Sequence, residues 1–127
     1  MFKRIDHVAL HVADVGIASE FYVATLGFEQ IAHHRGVGGR TITYLRLGDS
    51  VIELTSRPGG EPMSGFHLCL EPDDFDAAFG MLRSQGLALV ADARATTPRW
   101  PSEAGWRRAV FRGPHGELIE IRGGSAQ

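Results

Sequence analysis

The sequence predicts an α+β fold in which one βαβββ module of about 60 residues occurs twice. A histidine motif recurs along the chain, first as His7-Val-Ala-Leu10 and then as His67-Leu-Cys-Leu70. In each copy an aspartate, Asp14 or Asp74, follows the histidine by seven residues and precedes a stretch with helical character. A unit of this length that appears only twice is typical of a duplicated module, because solenoid repeats are shorter and more numerous.

Each copy also ends in a short apolar run with a glutamate at its centre, Val51-Ile-Glu-Leu54 or Leu118-Ile-Glu-Ile121. Successive side chains of a strand point to opposite faces, so the glutamate, Glu53 or Glu120, lies opposite its apolar neighbours. A carboxylate in the middle of an apolar strand is costly unless a partner compensates it. Together with the two motif histidines, these carboxylates indicate one divalent metal site.

The first module is predicted to begin with a strand over residues 4–12 and a helix from Asp14 to Gly27. Its remaining strands are predicted near residues 28–34, 41–47 and 50–55. The second module repeats this order, with a strand at 65–71, a helix from Asp73 to Gly86, and strands near 88–93, 107–112 and 117–122.

Composition and charge are typical of one domain over residues 1–127, with module one at about 4–58 and module two at about 63–122. The formal net charge of −2 argues against a nucleic-acid partner, which clustered Lys and Arg would indicate. No apolar run approaches the roughly 20 residues of a membrane span, and the N-terminus lacks the apolar segment of a signal peptide. The single Cys69 has no partner for an internal disulfide, so we expect a cytoplasmic protein.

With these motifs the chain resembles the vicinal oxygen chelate superfamily, which has the glyoxalase/bleomycin-resistance/dioxygenase fold. The resemblance covers nearly the whole chain and implies that the two modules form cupped half-barrels lined by the ligands. The matching elements are Ile5-Asp-His7-Val-Ala-Leu10, Phe21-Tyr22 with Leu26-Gly-Phe28, Val51-Ile-Glu-Leu54, His67 followed by Asp73-Asp74, and Gly113-Pro-His-Gly-Glu-Leu-Ile-Glu120.

The combination of His7, Glu53, His67 and Glu120 most resembles the metal ligands of glyoxalase I, lactoylglutathione lyase. This resemblance implies one divalent metal per site, with nickel or cobalt favoured and zinc or manganese as alternatives, since imidazole and carboxylate suit several metals. It also implies a lyase or isomerase that acts on a metal-chelated hemithioacetal of methylglyoxal and a thiol. Glu120 is then expected to move the proton between adjacent carbons, with Glu53 on the opposite side.

The residues expected to contact the small-molecule substrate depart from the glyoxalase pattern. Glyoxalases of this type have arginine at the position of His11 and asparagine at the position of Arg57, and both contribute to glutathione binding. We expect His11, Arg57, Trp106 and Arg107 to contact the substrate, for which a glutathione adduct is one candidate. These departures do not change the predicted metal chemistry, but the identity of the thiol in the substrate stays open.

Two other functions stay open. One is another metalloenzyme of the superfamily, such as an epimerase, a dioxygenase or a thiol transferase, although epimerases for methylmalonyl-CoA usually have glutamine where Glu53 stands. The other is a metal-free protein that binds a small molecule or antibiotic, as in the bleomycin-resistance branch. The resemblance also implies a homodimer with shared active sites, in which each site combines modules of two subunits. Pairing of both modules within one chain is the alternative.

Overall fold

The structure, a computed structural model, describes residues 1–126 and divides the chain into two compact units, Met1–Met63 and a second one that begins at Ser64. Each unit has a four-stranded sheet and one α-helix, in the order strand, helix, three strands. The predicted α+β class and the duplicated βαβββ plan are therefore confirmed. None of the helices formed by residues 1–126 is long and apolar enough to cross a membrane.

The first unit has strands β1 (Val8–Val12), β2 (Glu29–Arg35), β3 (Thr41–Leu47) and β4 (Ser50–Ser56), with helix α1 (Val15–Glu20) between β1 and β2. The strand order is β1-β4-β3-β2, in which β1 runs parallel to β4 and the other pairs are antiparallel. A short 3₁₀ turn (Val37–Gly39) joins β2 to β3. The predicted strand over residues 4–12 starts only at Val8, where pairing with Ile52 of β4 begins.

The predicted helix from Asp14 to Gly27 consists of two parts. Asp14 is its N-cap, as predicted, and Asp14 Oδ1 accepts a hydrogen bond of 2.9 Å from the Ile17 N–H. After Glu20 the chain forms a π-helical turn over Phe21–Thr25, which ends where the Leu26 N–H bonds to the Phe21 carbonyl at 3.3 Å. This wider turn contains Tyr22, which is fully buried.

The second unit has strands β5 (His67–Leu70), β6 (Ala88–Ala95), β7 (Arg107–Arg112) and β8 (Leu118–Gly123), with helix α2 (Phe75–Ser84) after β5. Its strand order, β5-β8-β7-β6, repeats the topology of the first unit, again with a parallel first pair. Asp74, rather than Asp73, caps α2, because Asp74 Oδ1 accepts hydrogen bonds from the N–H groups of Asp76 and Ala77. A 3₁₀ turn (Pro101–Glu103) lies in the loop between β6 and β7.

One face of each sheet carries the α-helix, and we call the opposite face the helix-free face. In the second unit Phe111 contacts Phe79 of α2, with ring centroids 5.7 Å apart, so the alternate residues of β7 point away from α2. In the first unit α1 packs against β3 and β4. Most buried apolar residues of the strands lie on the helix-bearing side, and they include Leu10, Leu45, Leu54, Phe111, Ile119 and Ile121.

Candidate functional site

The structure brings His7 and Glu53 together on the helix-free face of the first unit. Glu53 lies in the middle of β4, where its strand neighbours in register are Ala9 of β1 and Tyr44 of β3. His7 immediately precedes β1, and its Nε2 atom lies 3.0 Å from Glu53 Oε2. The two side chains are 31% and 16% exposed, so the pair is open to a ligand and partly shielded from water.

Uncharged donors support the Glu53 carboxylate. Thr55 Oγ1 donates a hydrogen bond of 2.5 Å to Glu53 Oε1, and the Tyr44 hydroxyl donates another to the same carboxylate. The Thr55 bond has the largest effect and, with the Tyr44 bond and the nearby His7 and His11, it outweighs burial and lowers the pKa of Glu53. The same contact raises the pKa of Tyr44. Glu53 is therefore ionised at neutral pH and held in a fixed direction.

Asp6 orients the His7 ring, a role that the sequence interpretation missed. Asp6 Oδ2 lies 2.9 Å from His7 Nδ1, and because a carboxylate only accepts, the proton of this bond belongs to Nδ1. Nε2 is thereby directed at Glu53. A carboxylate on the far nitrogen of a histidine is a recurring way to orient metal-binding imidazoles. The adjacent Asp6-His7 pair in the sequence was the available indication.

The matching pair of the second unit is wider. Glu120 lies in the middle of β8, opposite Cys69 of β5 and Val110 of β7. His67 Nε2 lies 3.7 Å from Glu120 Oε1, beyond hydrogen-bond distance, and the side chains are 59% and 13% exposed. The structure thus places these two predicted ligands on neighbouring strands of one face, but a direct bond between them is absent.

A guanidinium group holds the other oxygen of Glu120. Arg108 Nε donates a hydrogen bond of 2.6 Å to Glu120 Oε2. Burial tends to raise the pKa of Glu120, but the hydrogen bond and positive charge of Arg108 outweigh it, so that the pKa lies below its ordinary value. Arg108 is the second residue that the sequence interpretation missed.

Cys69 shares this face with His67 and Glu120. Partial burial and the neighbouring Glu120 carboxylate raise the pKa of the Cys69 thiol to about 11. At neutral pH the group is therefore a thiol and not a nucleophilic thiolate.

The predicted substrate contacts His11 and Arg57 lie near Glu53. His11 and Glu53 line one cavity of about 710 Å³, and His11 and Arg57 line an adjoining cavity of about 420 Å³. Gly38 and Arg40 line both cavities, so these two spaces meet at His11. The first unit therefore has open space beside its His–Glu pair, and the arginines Arg40 and Arg57 help to line that space.

The predicted contacts Trp106 and Arg107 are placed differently. Arg107 points toward α2, where it forms an ion pair with Asp76 and lies 4.6 Å from the centroid of the Phe75 ring. It does not share the face of Glu120, which its neighbour Arg108 reaches instead. The Trp106 ring packs against the guanidinium of Arg122, 5.3 Å from its centroid.

The donor set fits a divalent first-row metal. Two imidazoles and two carboxylates can neutralise a 2+ charge, and the 3.0 Å between His7 Nε2 and Glu53 Oε2 matches neighbouring ligands of an octahedral ion, each about 2.1 Å from it. The second pair offers His67 Nε2 and Glu120 Oε1. Within residues 1–126, no group of three or more His, Cys, Asp or Glu is arranged to hold an ion. Each unit by itself therefore offers one His–Glu pair as candidate metal donors.

With the two His–Glu pairs in equivalent strand positions, the chain belongs to the glyoxalase/bleomycin resistance protein/dioxygenase superfamily, whose family model matches residues 4–121. It is 30% identical to the uncharacterized protein YwbC of Bacillus subtilis over 95% of this chain and 98% of that protein. It is 34% identical to an ethylmalonyl-CoA/methylmalonyl-CoA epimerase of Cereibacter sphaeroides over 71% of this chain and 76% of that enzyme.

Solved structures share the fold. The antibiotic-binding protein TnmS3 from Streptomyces sp. CB03234 superposes with a TM-score of 0.73 at 26% identity, over 98% of both chains. The fosfomycin resistance protein FosX from Listeria monocytogenes, solved with Mn(II) and a sulfate ion, superposes with a TM-score of 0.73 over 98% of this chain and 95% of that one. At 14% identity, FosX shows likeness of fold alone. The proteins that this chain resembles therefore include an epimerase, an antibiotic-binding protein and a resistance protein solved with Mn(II).

Proposed function

We propose that the protein is a metal-dependent lyase or isomerase of the glyoxalase I type, which moves a proton between adjacent carbons of a substrate chelated through two oxygens. The contact between His7 Nε2 and Glu53 Oε2 supports this proposal most directly, because it joins two good metal donors at 3.0 Å. His67 and Glu120 occupy the equivalent positions of the second unit. The first substrate to test is the hemithioacetal of methylglyoxal with glutathione.

The four residues His7, Glu53, His67 and Glu120 would hold one divalent ion, with nickel or cobalt favoured over zinc or manganese. When bound, the ion supplies Lewis-acid stabilisation of the negative charge that develops on the substrate oxygens. Asp6 orients His7, and Thr55 and Tyr44 keep Glu53 ionised. Glu120 is the proton acceptor, and because Arg108 lowers its pKa, it accepts a proton only from a strongly activated carbon.

Epimerisation of an acyl-CoA is the second candidate. The 34% identity to the ethylmalonyl-CoA/methylmalonyl-CoA epimerase favours it, and an epimerase also removes and returns a proton at carbon. Ligand sequestration without metal is the third candidate, suggested by the likeness to antibiotic-binding TnmS3. Two equivalent His–Glu pairs would have no role in a metal-free binder, so metal content separates this candidate from the first two.

The proposal includes a homodimer with two shared sites, in which His7 and Glu53 of one subunit join His67 and Glu120 of the other. Each unit has one His–Glu pair, and two pairs together would provide the usual four ligands. Mixing inactive His7→Ala subunits with inactive Glu120→Gln subunits tests the arrangement. Recovered activity after subunit exchange indicates sites shared between chains, whereas no recovery despite measured exchange places each site within one chain.

Metal analysis followed by two activity assays tests the function itself. The purified protein is loaded in turn with nickel, cobalt, zinc and manganese, and its metal content and melting temperature are measured. We expect stoichiometric metal and a melting temperature that falls when a chelator removes it. The loaded protein is then assayed with methylglyoxal plus glutathione and with methylmalonyl-CoA. Absence of bound metal together with no thermal shift for any of the four ions would exclude both enzyme candidates.

A further inference from the structure

Three arginines lie side by side across the helix-free face of the second unit. Arg94 of β6 is directly opposite Arg108 of β7, and Arg108 is directly opposite Arg122 of β8. Like charges at opposite positions of neighbouring strands destabilise a sheet. Such a row of positive charges therefore needs anionic partners. The three arginines differ in how many such partners the chain itself provides.

Arg122 is bound by the loop between β6 and β7 through its Nη2 atom, while its Nη1 atom is buried without a hydrogen-bond partner in the described part of the chain. Its Nη2 atom lies 2.9 Å from Glu103 Oε1 and donates a hydrogen bond of 3.0 Å to the Thr97 carbonyl. Its side chain is 11% exposed, and Glu103 is fully buried. Glu103 also binds Arg99. The charge of Glu103 is thus divided between two guanidinium groups, and Arg122 has a structural role.

The positive charges of Arg108 and Arg94 have fewer partners within the chain than that of Arg122. Arg108 uses its Nε atom for Glu120, and the structure gives its two terminal nitrogens no further partner within residues 1–126. Arg94 is exposed and has no ion pair or side-chain hydrogen bond within the same described range. The nearest acid along β6, Asp92, accepts a hydrogen bond from the Ala93 N–H. Two arginines at paired positions of β6 and β7 therefore have unused N–H donors, and one of them, Arg108, contacts Glu120.

We infer that Arg94 and Arg108 form a subsite for an oxyanion of the substrate, a carboxylate or a phosphate. The planar N–H fork of a guanidinium matches both groups, and adjacent forks can bind the two sides of one anion. This inference rests on the proposed function in one respect, namely that Glu120 moves the proton of the same substrate. It narrows the substrate class to compounds that carry a carboxylate or a phosphate.

Binding of small anions to the metal-free protein tests the subsite without any turnover. Malonate, inorganic phosphate and neutral malonamide are titrated by calorimetry in the presence of a chelator, against the native protein, Arg94→Gln and Arg108→Gln. We expect at least one anion to bind, and each substitution to weaken it by about 10-fold, the loss for one charge-assisted hydrogen bond. Arg83→Gln is the matched control, because it removes the same charge from α2, and its affinity should stay within about twofold of the native protein.

Comparing malonate with phosphate shows whether the anionic group of the substrate is a carboxylate or a phosphate. Preference for malonate assigns the subsite to a carboxylate, and preference for phosphate assigns it to a phosphate. If neither anion binds the native protein more tightly than it binds Arg94→Gln, or if malonamide binds as well as malonate, the subsite is disproved. Intact anion binding in a protein that takes up no metal would overturn the proposed function and leave the subsite standing.

Discussion

The two units have the same fold and carry a His–Glu pair at the same strand positions, yet the surroundings of the two glutamates differ. Glu53 accepts hydrogen bonds from Thr55 and Tyr44, which are neutral. Glu120 is bound by the guanidinium of Arg108. The two units therefore have candidate ligands at equivalent positions, while different residues on the same strand and on the adjacent strand give each glutamate its own electrostatic environment.

This difference suggests a division of labour. Glu53 has neutral hydrogen-bond donors and a histidine beside it but no guanidinium, so we expect it to keep more of its negative charge available for an ion than Glu120 does. Glu120 shares its charge with Arg108, so an ion must compete for it, and Glu120 is expected to be the more weakly held ligand. A weakly held carboxylate is free to exchange a proton with the substrate, which agrees with its proposed role as the base.

The largest expected effect is on turnover. Glu120→Gln keeps an oxygen for coordination but removes the proton acceptor, so kcat should fall by about 10²–10⁴. Glu53→Gln is the matched variant in the first unit, and its kcat should fall by about 10-fold or less, since it removes charge and not the base. Both are measured at saturating metal with the metal content determined. A larger loss for Glu53→Gln would reverse the assigned roles.

A smaller effect is expected on stability. Glu103→Gln should lower the melting temperature by about 5 °C or more, because it leaves Arg122 without its buried partner. Glu29→Gln removes the exposed pair with Arg46 in the first unit and should have little effect. Thermal unfolding followed by circular dichroism gives both values at neutral pH. Equal shifts for the two variants would show that Glu103 does not anchor its loop.

The Glu103 effect should also depend on pH. Hydrogen bonds from Arg99 first, and then from Arg122, hold the pKa of Glu103 well below its usual range. A lowered pKa stabilises the fold above the ordinary glutamate pKa of about 4.3, and this contribution declines as pH falls toward the folded-state value. The difference in melting temperature between the native protein and Glu103→Gln should therefore be constant from pH 7 to 5 and shrink at lower pH.

The last expected effect is a loss of stability at the two helix ends, and it should be equal in the two units. Gly27 and Gly86 follow the two helical segments with φ of +82° and +80°, a conformation that costs an alanine about 1–2 kcal/mol. Gly27→Ala and Gly86→Ala should each reduce the free energy of unfolding by that amount in urea denaturation. A clear difference between them would mean that the two helix ends are not equivalent despite their common plan.

Sequence periodicity was sufficient for the fold and for the faces of the candidate ligands. The apolar neighbours of Glu53 and Glu120 define the strand faces, and the predicted strands over 41–47 and 107–112 match β3 and β7. Periodicity did not reveal that the first helix changes to a π-helical turn after Glu20. The π-helical turn contains the fully buried Tyr22 ring, and a helical spacing pattern does not describe how such a ring packs.

The sequence did not predict that Arg108 contacts Glu120 or that Tyr44 contacts Glu53, for a specific reason in each case. Arg107 and Arg108 are consecutive, so one of them must face Glu120, but the following Ala109-Val-Phe111 is apolar on both faces and does not indicate which. Only the contact of Arg107 with Asp76 of α2 decides the matter. Likewise, Tyr44 is opposite Glu53 because of the register between β3 and β4, which spacing along the chain does not state.

Calorimetric titration of nickel into the native protein, His7→Ala and His67→Ala tests most directly whether the two His–Glu pairs form one metal site. One ion should bind per native chain, and each substitution alone should weaken binding by about 100-fold or more, because each removes one of four ligands of the same ion. Native affinity retained by either variant, or no binding to the native protein, would contradict the shared site.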